Sequence, residues 1–271
     1  MMLSSYDSLH ASTGPFERSA REPWSRVKEL TAADYSYEFP DHWLLERTPF
    51  DLFAVLHAAY VLRVVEIVRE SGARTVLEAG CGDGWNCGKL AEAGLEVTGV
   101  EWSKNAVEHA RRLVPRARFH CGDLLDPAFR ERFTEPYDAV ILVEVLEHIP
   151  PADCVEALRK ITSVLKPGGT FVLTTPSVNQ PNQNPAHYRH FEEGTLREVI
   201  REAGSLEITA IEGYGDVPGE VAHWRMRRWI DNRFWTVKPL QKLLVDRYAA
   251  RCSRTALSVC QGFIVTMRKS A

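Results

Sequence analysis

Three glycines at alternate positions follow a short apolar run: residues 76–85 read VLEAGCGDGW. The run leads into Glu78. Gly80, Gly82 and Gly84 then let the backbone turn sharply and let a ligand approach without meeting a Cβ. This is the pattern of a buried strand, a tight turn and a helix starting near Trp85. A second apolar run, 95–100, ends at Glu101, 23 residues beyond Glu78. An acid about 20 residues past a glycine-rich turn is placed to accept hydrogen bonds from ribose hydroxyls. The two features together predict a nucleoside-containing cofactor. The spacing is G-x-G-x-G rather than the G-x-G-x-x-G that cradles a pyrophosphate. The Glu78 carboxylate would repel a pyrophosphate and suits a cationic or ammonium-bearing ligand.

Beyond the turn, strand and helix patterns alternate, which predicts a parallel sheet with helices on both faces. Strands are expected at 75–78, 96–100, 118–121, 139–143, 170–174, 206–211 and 258–267, and helices at about 51–70, 85–93, 103–113, 151–165 and 193–203. Lys166-Pro167-Gly168-Gly169 reads as a helix stop.

Several segments carry a family resemblance in order. The glycine turn resembles the first motif of the class I S-adenosylmethionine-dependent methyltransferases. VEWS at 100–103 resembles the second motif, with Glu101 on the ribose and Trp102 beside the adenine. CGDLLD at 121–126 resembles the third, with Asp123 near the adenine amino group and Leu124 on the ring. YDAVILVEVLEHI at 137–149 resembles the fourth, with Glu144 near the methionine moiety, and LKPGGTFVLTTP at 165–176 the fifth-strand region. The resemblance covers roughly residues 50–212 and the last strand. It implies an α/β, Rossmann-like, doubly wound, mostly parallel seven-stranded sheet with an antiparallel edge strand. It also implies S-adenosyl-L-methionine as cofactor, bound by Glu78, Gly80, Gly82, Gly84, Trp85, Glu101, Trp102, Asp123, Leu124 and Glu144.

Four regions follow. Residues 1–50 are a polar arm with an aromatic end (Tyr35, Tyr37, Phe39, Trp43, Phe50), expected as a substrate lid. Residues 51–212 form the cofactor-binding core. Residues 213–256, rich in aromatic and basic side chains, form a helical insertion, read either as a substrate cap or as a satellite core. Residues 257–271 supply the final edge strand.

The chemistry is expected after the fourth strand, at Glu144-Val145-Leu146-Glu147-His148. A helical turn there brings Glu144, Glu147 and His148 to one side. His187 and His190 emerge from the fifth strand at the same edge. Carboxylates and imidazoles around one crevice suit a divalent ion such as Mg, Mn or Zn. The E-x-x-E-H pattern resembles ubiquinone-pathway O-methyltransferases and small-RNA 2′-O-methyltransferases, in which a metal holds vicinal oxygens of the substrate. That resemblance makes Glu144, Glu147, His148 and His190 candidate metal ligands. Without a metal, His148 or His187 is the candidate general base, and Glu144 joins them as a candidate catalytic group. The polar loop Asn179, Gln180, Asn182, Gln183 and Asn184 either binds a hydroxylated substrate or caps turns.

Charge narrows the acceptor. The formal net charge of −3 gives no global bias toward nucleic acid. A small-molecule hydroxyl, on a sugar, a phenol or a natural-product intermediate, is therefore the first reading. RNA ribose 2′-O-methylation and small-molecule N-methylation are the alternatives. His190-Phe191-Glu192-Glu193 departs from the continuation seen in the small-RNA group. An inactive cofactor-binding module is disfavoured by the intact acids at 78, 101, 123 and 144. Six cysteines without C-x-x-C spacing, a start lacking a signal-peptide pattern and no long apolar run predict a soluble cytoplasmic monomer or homodimer.

Overall fold

The computed structural model describes residues 37–45, 51–133, 135–230, 237–252 and 255–270. Seven strands form one sheet: β1 (Thr75–Ala79), β2 (Glu96–Glu101), β3 (Arg118–Cys121), β4 (Tyr137–Val143), β5 (Leu165–Pro176), β6 (Leu206–Asp216) and β7 (Cys260–Lys269). Their order is β3-β2-β1-β4-β5-β7-β6. The strands from β3 through β5 pair in parallel, and β7 runs antiparallel to both β5 and β6. The antiparallel strand therefore lies one place inside the sheet, and β6 forms the outer edge. The family resemblance implied an antiparallel edge strand; the antiparallel strand is present, inserted between β5 and the outermost β6.

Alternation along each strand builds two cores. Leu77, Ala79, Val140, Leu142, Phe171 and Leu173 point to one face. Val76, Ala139, Ile141, Val143 and Val172 point to the other. This is the period-2 signature of strands buried on both sides. The first face is covered by α5 (Cys154–Ser163) and α6 (Glu193–Ala203) through Leu158, Ile161, Leu196 and Ile200. The second is covered by α2 (Leu52–Glu70), α3 (Trp85–Glu92) and α4 (Lys104–Leu113) through Val64, Val68, Leu90 and Val107. Asp51 caps α2 by accepting from the Phe53 and Ala54 amides at 2.8 and 3.2 Å, and Gly72 beyond its end is left-handed.

Two predicted boundaries move. Helix α5 ends at Ser163, and the Lys166–Gly169 stretch opens β5 instead of closing a helix. Strand β6 continues to Asp216, so 213–216 belong to the sheet and not to the insertion. The insertion is a helix pair, α7 (Val217–Ile230) and α8 (Lys238–Cys252). Tyr248 and Cys252 of α8 join the second core, so the pair docks by burying its own apolar side chains. Before α2, a short helix α1 (Asp41–Leu45) lies against the glycine turn; residues 1–36 and 46–50 of the expected arm fall outside the described residues. No described helix is long and apolar enough to cross a membrane.

Candidate active site at the carboxyl edge of the sheet

The sheet reverses direction of travel between β1 and β4, and a crevice at that point is where open α/β sheets bind ligands. On the β1 side, Gly80, Gly82 and Gly84 all have positive φ, at 76°, 50° and 80°. A Cβ on Gly80 would lie 2.5 Å from a Val145 methyl, and one on Gly84 would lie 2.7 Å from the Ala110 methyl. The turn therefore needs glycine for both conformation and space. Glu101 is buried, and its carboxylate accepts the Gly82 amide at 3.1 Å and the Ser103 amide at 2.9 Å. Burial raises its pKa, and these amide bonds oppose the rise. Glu78 is fully buried and accepts from Asn86 at 2.7 Å and from the Cys87 thiol at 2.9 Å. Burial lifts it to about 7.

The other members of the expected cofactor set are placed less directly. Trp85 is buried in the second core, with its ring 4.9 Å from that of His57. Trp102 follows β2 and is half-buried. Asp123 caps its own turn by accepting the Leu125 amide at 3.0 Å, and Leu124 lies in the first core. A feature that sequence reasoning missed is the docking of α1 through Asp83. This buried carboxylate accepts the His42 amide at 2.9 Å and faces the His42 ring at 3.2 Å. Trp43 donates to the Asp83 carbonyl at 3.2 Å. Burial works against a charged His42, but the hydrogen bond to Asp83 and the charges of Asp83, Asp41 and Glu78 together outweigh it and raise its pKa. The Tyr37 hydroxyl reaches 2.9 Å from where a Gly82 Cβ would sit. The aromatic end of the arm thus covers the glycine turn.

On the β4 side Glu147 and His148 come together as expected, and the Glu144 charge reaches Glu147, but Glu144 is not part of their group among the described residues. Glu144 itself takes the left-handed conformation, φ 53°, and the turn after it is a tight one over Leu146–His148. This sends its carboxylate toward β5 and β6, where Thr174 and Tyr214 each donate to Oε1 at 2.8 Å. Left-handed backbone at a non-glycine residue is strain held by its surroundings, and such sites cluster where function is built. Glu147 instead meets His148 and His187, with ligand atoms within 4.8 Å of one another. Neither Glu144 nor His190 joins that group among the described residues. His190 stands behind His187, 3.1 Å away.

The hydrogen bonds set the tautomers. His190 Nδ1 lies 2.8 Å from the Gln180 carbonyl, which can only accept. In a neutral ring its Nε2 then accepts, so His187 donates from Nδ1 and leaves Nε2 bare. His148 Nδ1 faces the Ala186 carbonyl at 3.2 Å and likewise leaves Nε2 bare. Burial lowers His148 to about 4 and, aided by the two neighbouring histidines, His187 to about 3, so both are neutral near pH 7. Burial raises Glu144 to about 7 and lifts Glu147 well above the usual carboxylate range, further raised by the Glu144 charge. Glu147 Oε2 accepts from Thr175 at 3.2 Å, while its buried Oε1 has no partner. A buried carboxylate with one unpartnered oxygen, grouped with two neutral imidazoles, is a donor set that fits a divalent ion.

Comparison with known proteins finds similarity to methyltransferases. Residues 76–169 match the family model described as "Methyltransferase domain". A probable S-adenosylmethionine-dependent methyltransferase of Mycolicibacterium smegmatis is 29% identical over 144 residues, covering 51% of this chain and 54% of that protein. A ubiquinone biosynthesis O-methyltransferase of Alkalilimnicola ehrlichii is 34% identical over 125 residues, covering 42% of this chain and 44% of that protein. The match spans about half the length of these curated relatives. The magnesium protoporphyrin IX methyltransferase of Synechocystis, solved with bound S-adenosylmethionine, shares the fold with a TM-score of 0.58 and 17% identity, over 93% of this chain and 100% of that one.

Proposed function

We propose that this chain, a class I S-adenosylmethionine-dependent methyltransferase in sequence and fold, methylates a hydroxyl of a small organic molecule held at the carboxyl ends of β4 and β5. One observation carries the reading: three left-handed glycines stand beside a buried acid at the end of the next strand. That glycine turn suits S-adenosylmethionine, with Glu101 accepting the ribose hydroxyls and Glu78 set behind the turn. The cofactor supplies an electrophilic sulfonium methyl. The chain aligns the acceptor, excludes water under α1 and the α7–α8 pair, and takes up one proton. His148 and His187 are suited to that last task, since each presents a neutral, unprotonated Nε2.

Glu147, His148 and His187 are the residues that would hold a divalent cation. Such an ion supplies Lewis acidity, which lowers the pKa of a bound hydroxyl. His190 and the Ala186 carbonyl would orient the two imidazoles from behind. Six unpaired cysteines, five of them buried, support a reducing, cytoplasmic setting.

The test is incubation with methyl-labelled S-adenosylmethionine and either a cell metabolite extract or a short RNA. Label is expected in small-molecule ethers. Label in RNA or in amines would replace the hydroxyl reading with 2′-O- or N-methylation, and no label at all would leave a binding module. Exhaustive chelation is expected to cut turnover at least about tenfold, with Mn²⁺ or Mg²⁺ restoring it. Undiminished turnover after chelation would remove the metal.

A further inference from the structure

Exposed apolar surface is concentrated on the helix pair. Of the twelve large apolar side chains that are exposed among the described residues, six lie between Val221 and Leu243, on α7, on α8 or just before it. Single exposed apolar residues are ordinary, but a cluster of them marks an interaction face. On α7 the outward positions are Val221, Ala222, Arg225, Met226 and Trp229, which recur at helical spacing as one stripe. The other side of α7 turns His223 inward, buried and 6.0 Å from the Tyr248 ring of α8. On α8, Gln241, Val245, Tyr248 and Cys252 are buried, whereas Leu240, Leu243, Arg247 and Ala250 face out. Helix α8 is therefore apolar on both sides, and the chain covers only one of them. A helix apolar all round is normally covered all round.

The two stripes meet at one end. The Val237 amide donates to the Ile230 carbonyl at 2.9 Å and closes the pair into a hairpin. Trp229, in the last turn of α7, and Leu240, in the first turn of α8, stand at its tip, with Met226 and Leu243 one turn back. Trp229 is 79% exposed. The charge around them has one sign. Among the described residues, the exposed positions of the pair carry Arg225, Lys238, Lys242, Arg247 and Arg251 against Asp246 alone, an excess of four positive charges on a chain whose net charge is −3. Lys242 meets Asp246 at 2.6 Å and Arg251 lies 3.7 Å from Asp216, while Arg225, Lys238 and Arg247 make no ion pair among the described residues. A second copy of this chain seated on the same face would bring these cations together, at a cost in repulsion. An anionic surface would complement them.

We infer that the tip of the α7–α8 hairpin docks on an anionic lipid bilayer, with Trp229 and its apolar neighbours at headgroup depth and Arg225, Lys238 and Arg247 against the phosphates. The contact is interfacial, since no described helix is long and apolar enough to cross a membrane. The hairpin grows directly from β6, whose Tyr214 holds Glu144, so docking tethers the candidate active site to the lipid surface. This place of action goes beyond the methyltransferase reading and does not depend on it.

Cosedimentation of the full chain with lipid vesicles tests the docking. Vesicles of phosphatidylcholine and phosphatidylglycerol in equal parts are expected to bind the chain at least about tenfold more tightly than phosphatidylcholine alone, each cation near an anionic surface contributing roughly fivefold. Added salt is expected to weaken that binding. Trp229→Ala is expected to weaken it about fivefold or more, through loss of the interfacial ring. The double substitution Lys238→Ala and Arg247→Ala is expected to remove most of the preference for phosphatidylglycerol, and melting temperatures equal to the wild type would show that both variants fold. Binding to neither vesicle, equal binding to both, or wild-type binding by a folded Trp229→Ala protein would overturn the inference. So would a dimer in solution that Trp229→Ala dissociates, since a second copy would then be what covers the hairpin.

Discussion

Both halves of the sheet edge bury carboxylates at strand ends, but they satisfy them differently. At the β1–β2 half, Glu101 and Glu78 receive backbone amides, an amide side chain and a thiol from the same short stretch of chain. At the β4–β5 half, Glu144 is held from β5 and β6, and Glu147 keeps one buried oxygen without any donor. In the first half both carboxylates are paired by groups of the protein itself, whereas in the second Glu147 Oε1 has no partner among the described residues. A cofactor used in every turnover suits a preformed cradle, whereas an acceptor and its proton need groups left open.

The largest effect should come from breaking the preformed half. Gly80→Ala places a methyl 2.5 Å from Val145 in left-handed backbone and is expected to cost about 2–5 kcal/mol of stability, summing conformational strain and overpacking. Urea unfolding reads this directly, and S-adenosylhomocysteine binding should fall with it. Stability unchanged within 0.5 kcal/mol, roughly the scatter of a neutral surface change, would show that the turn is not constrained.

Titration sharpens the contrast between the halves. A carboxyl raised to about 7 keeps a proton that the unfolded chain releases above about 4.5, so Glu78 costs stability progressively as pH rises through that window. Glu78→Gln should therefore gain on the wild type between those pH values, by about 3 kcal/mol at most, and the gap should then level off. For Glu147, lifted further, the gap of Glu147→Gln over the metal-free wild type should keep widening above pH 7. Thermal melts across pH 4.5 to 8.5, roughly the span from the unfolded carboxyl pKa to beyond the Glu78 window, separate the two. Identical curves would erase the distinction.

Much of the preformed half was legible in the sequence. Its glycines, Glu78 and Glu101 belong to one continuous strand–turn–helix–strand unit, with Glu101 reaching back to the Gly82 amide, so spacing carried the geometry. The acceptor half was only partly legible. Its partners come from four separate segments: Glu144 and Glu147, Thr174 and Thr175, His187 and His190, and Tyr214. Spacing suggested a helical turn after Glu144, but a left-handed residue is invisible to helical periodicity, and Glu144 is held by Thr174 and Tyr214 while its charge still reaches Glu147. Tyr214 was counted in an insertion because β6 runs longer than its apolar pattern. The arm's grip on Asp83 likewise depended on a tertiary contact without a spacing signal.

Two smaller effects test individual contacts. Glu101→Ala should weaken cofactor binding by about 1.5–3 kcal/mol through loss of charge-assisted bonds to the ribose. Tyr214→Phe removes one of the two side-chain donors to Glu144 and should lower stability by about 1 kcal/mol while raising the Glu144 pKa further. A Tyr214→Phe protein as stable as the wild type would show that Thr174 alone suffices to hold Glu144.

Calorimetric titration of the chain with S-adenosylhomocysteine, repeated with NAD⁺ as competitor, addresses the cofactor cradle most directly. Saturable one-to-one binding that NAD⁺ does not displace, and that Glu101→Ala weakens, is the expected result. No binding, or displacement by the dinucleotide, would contradict it.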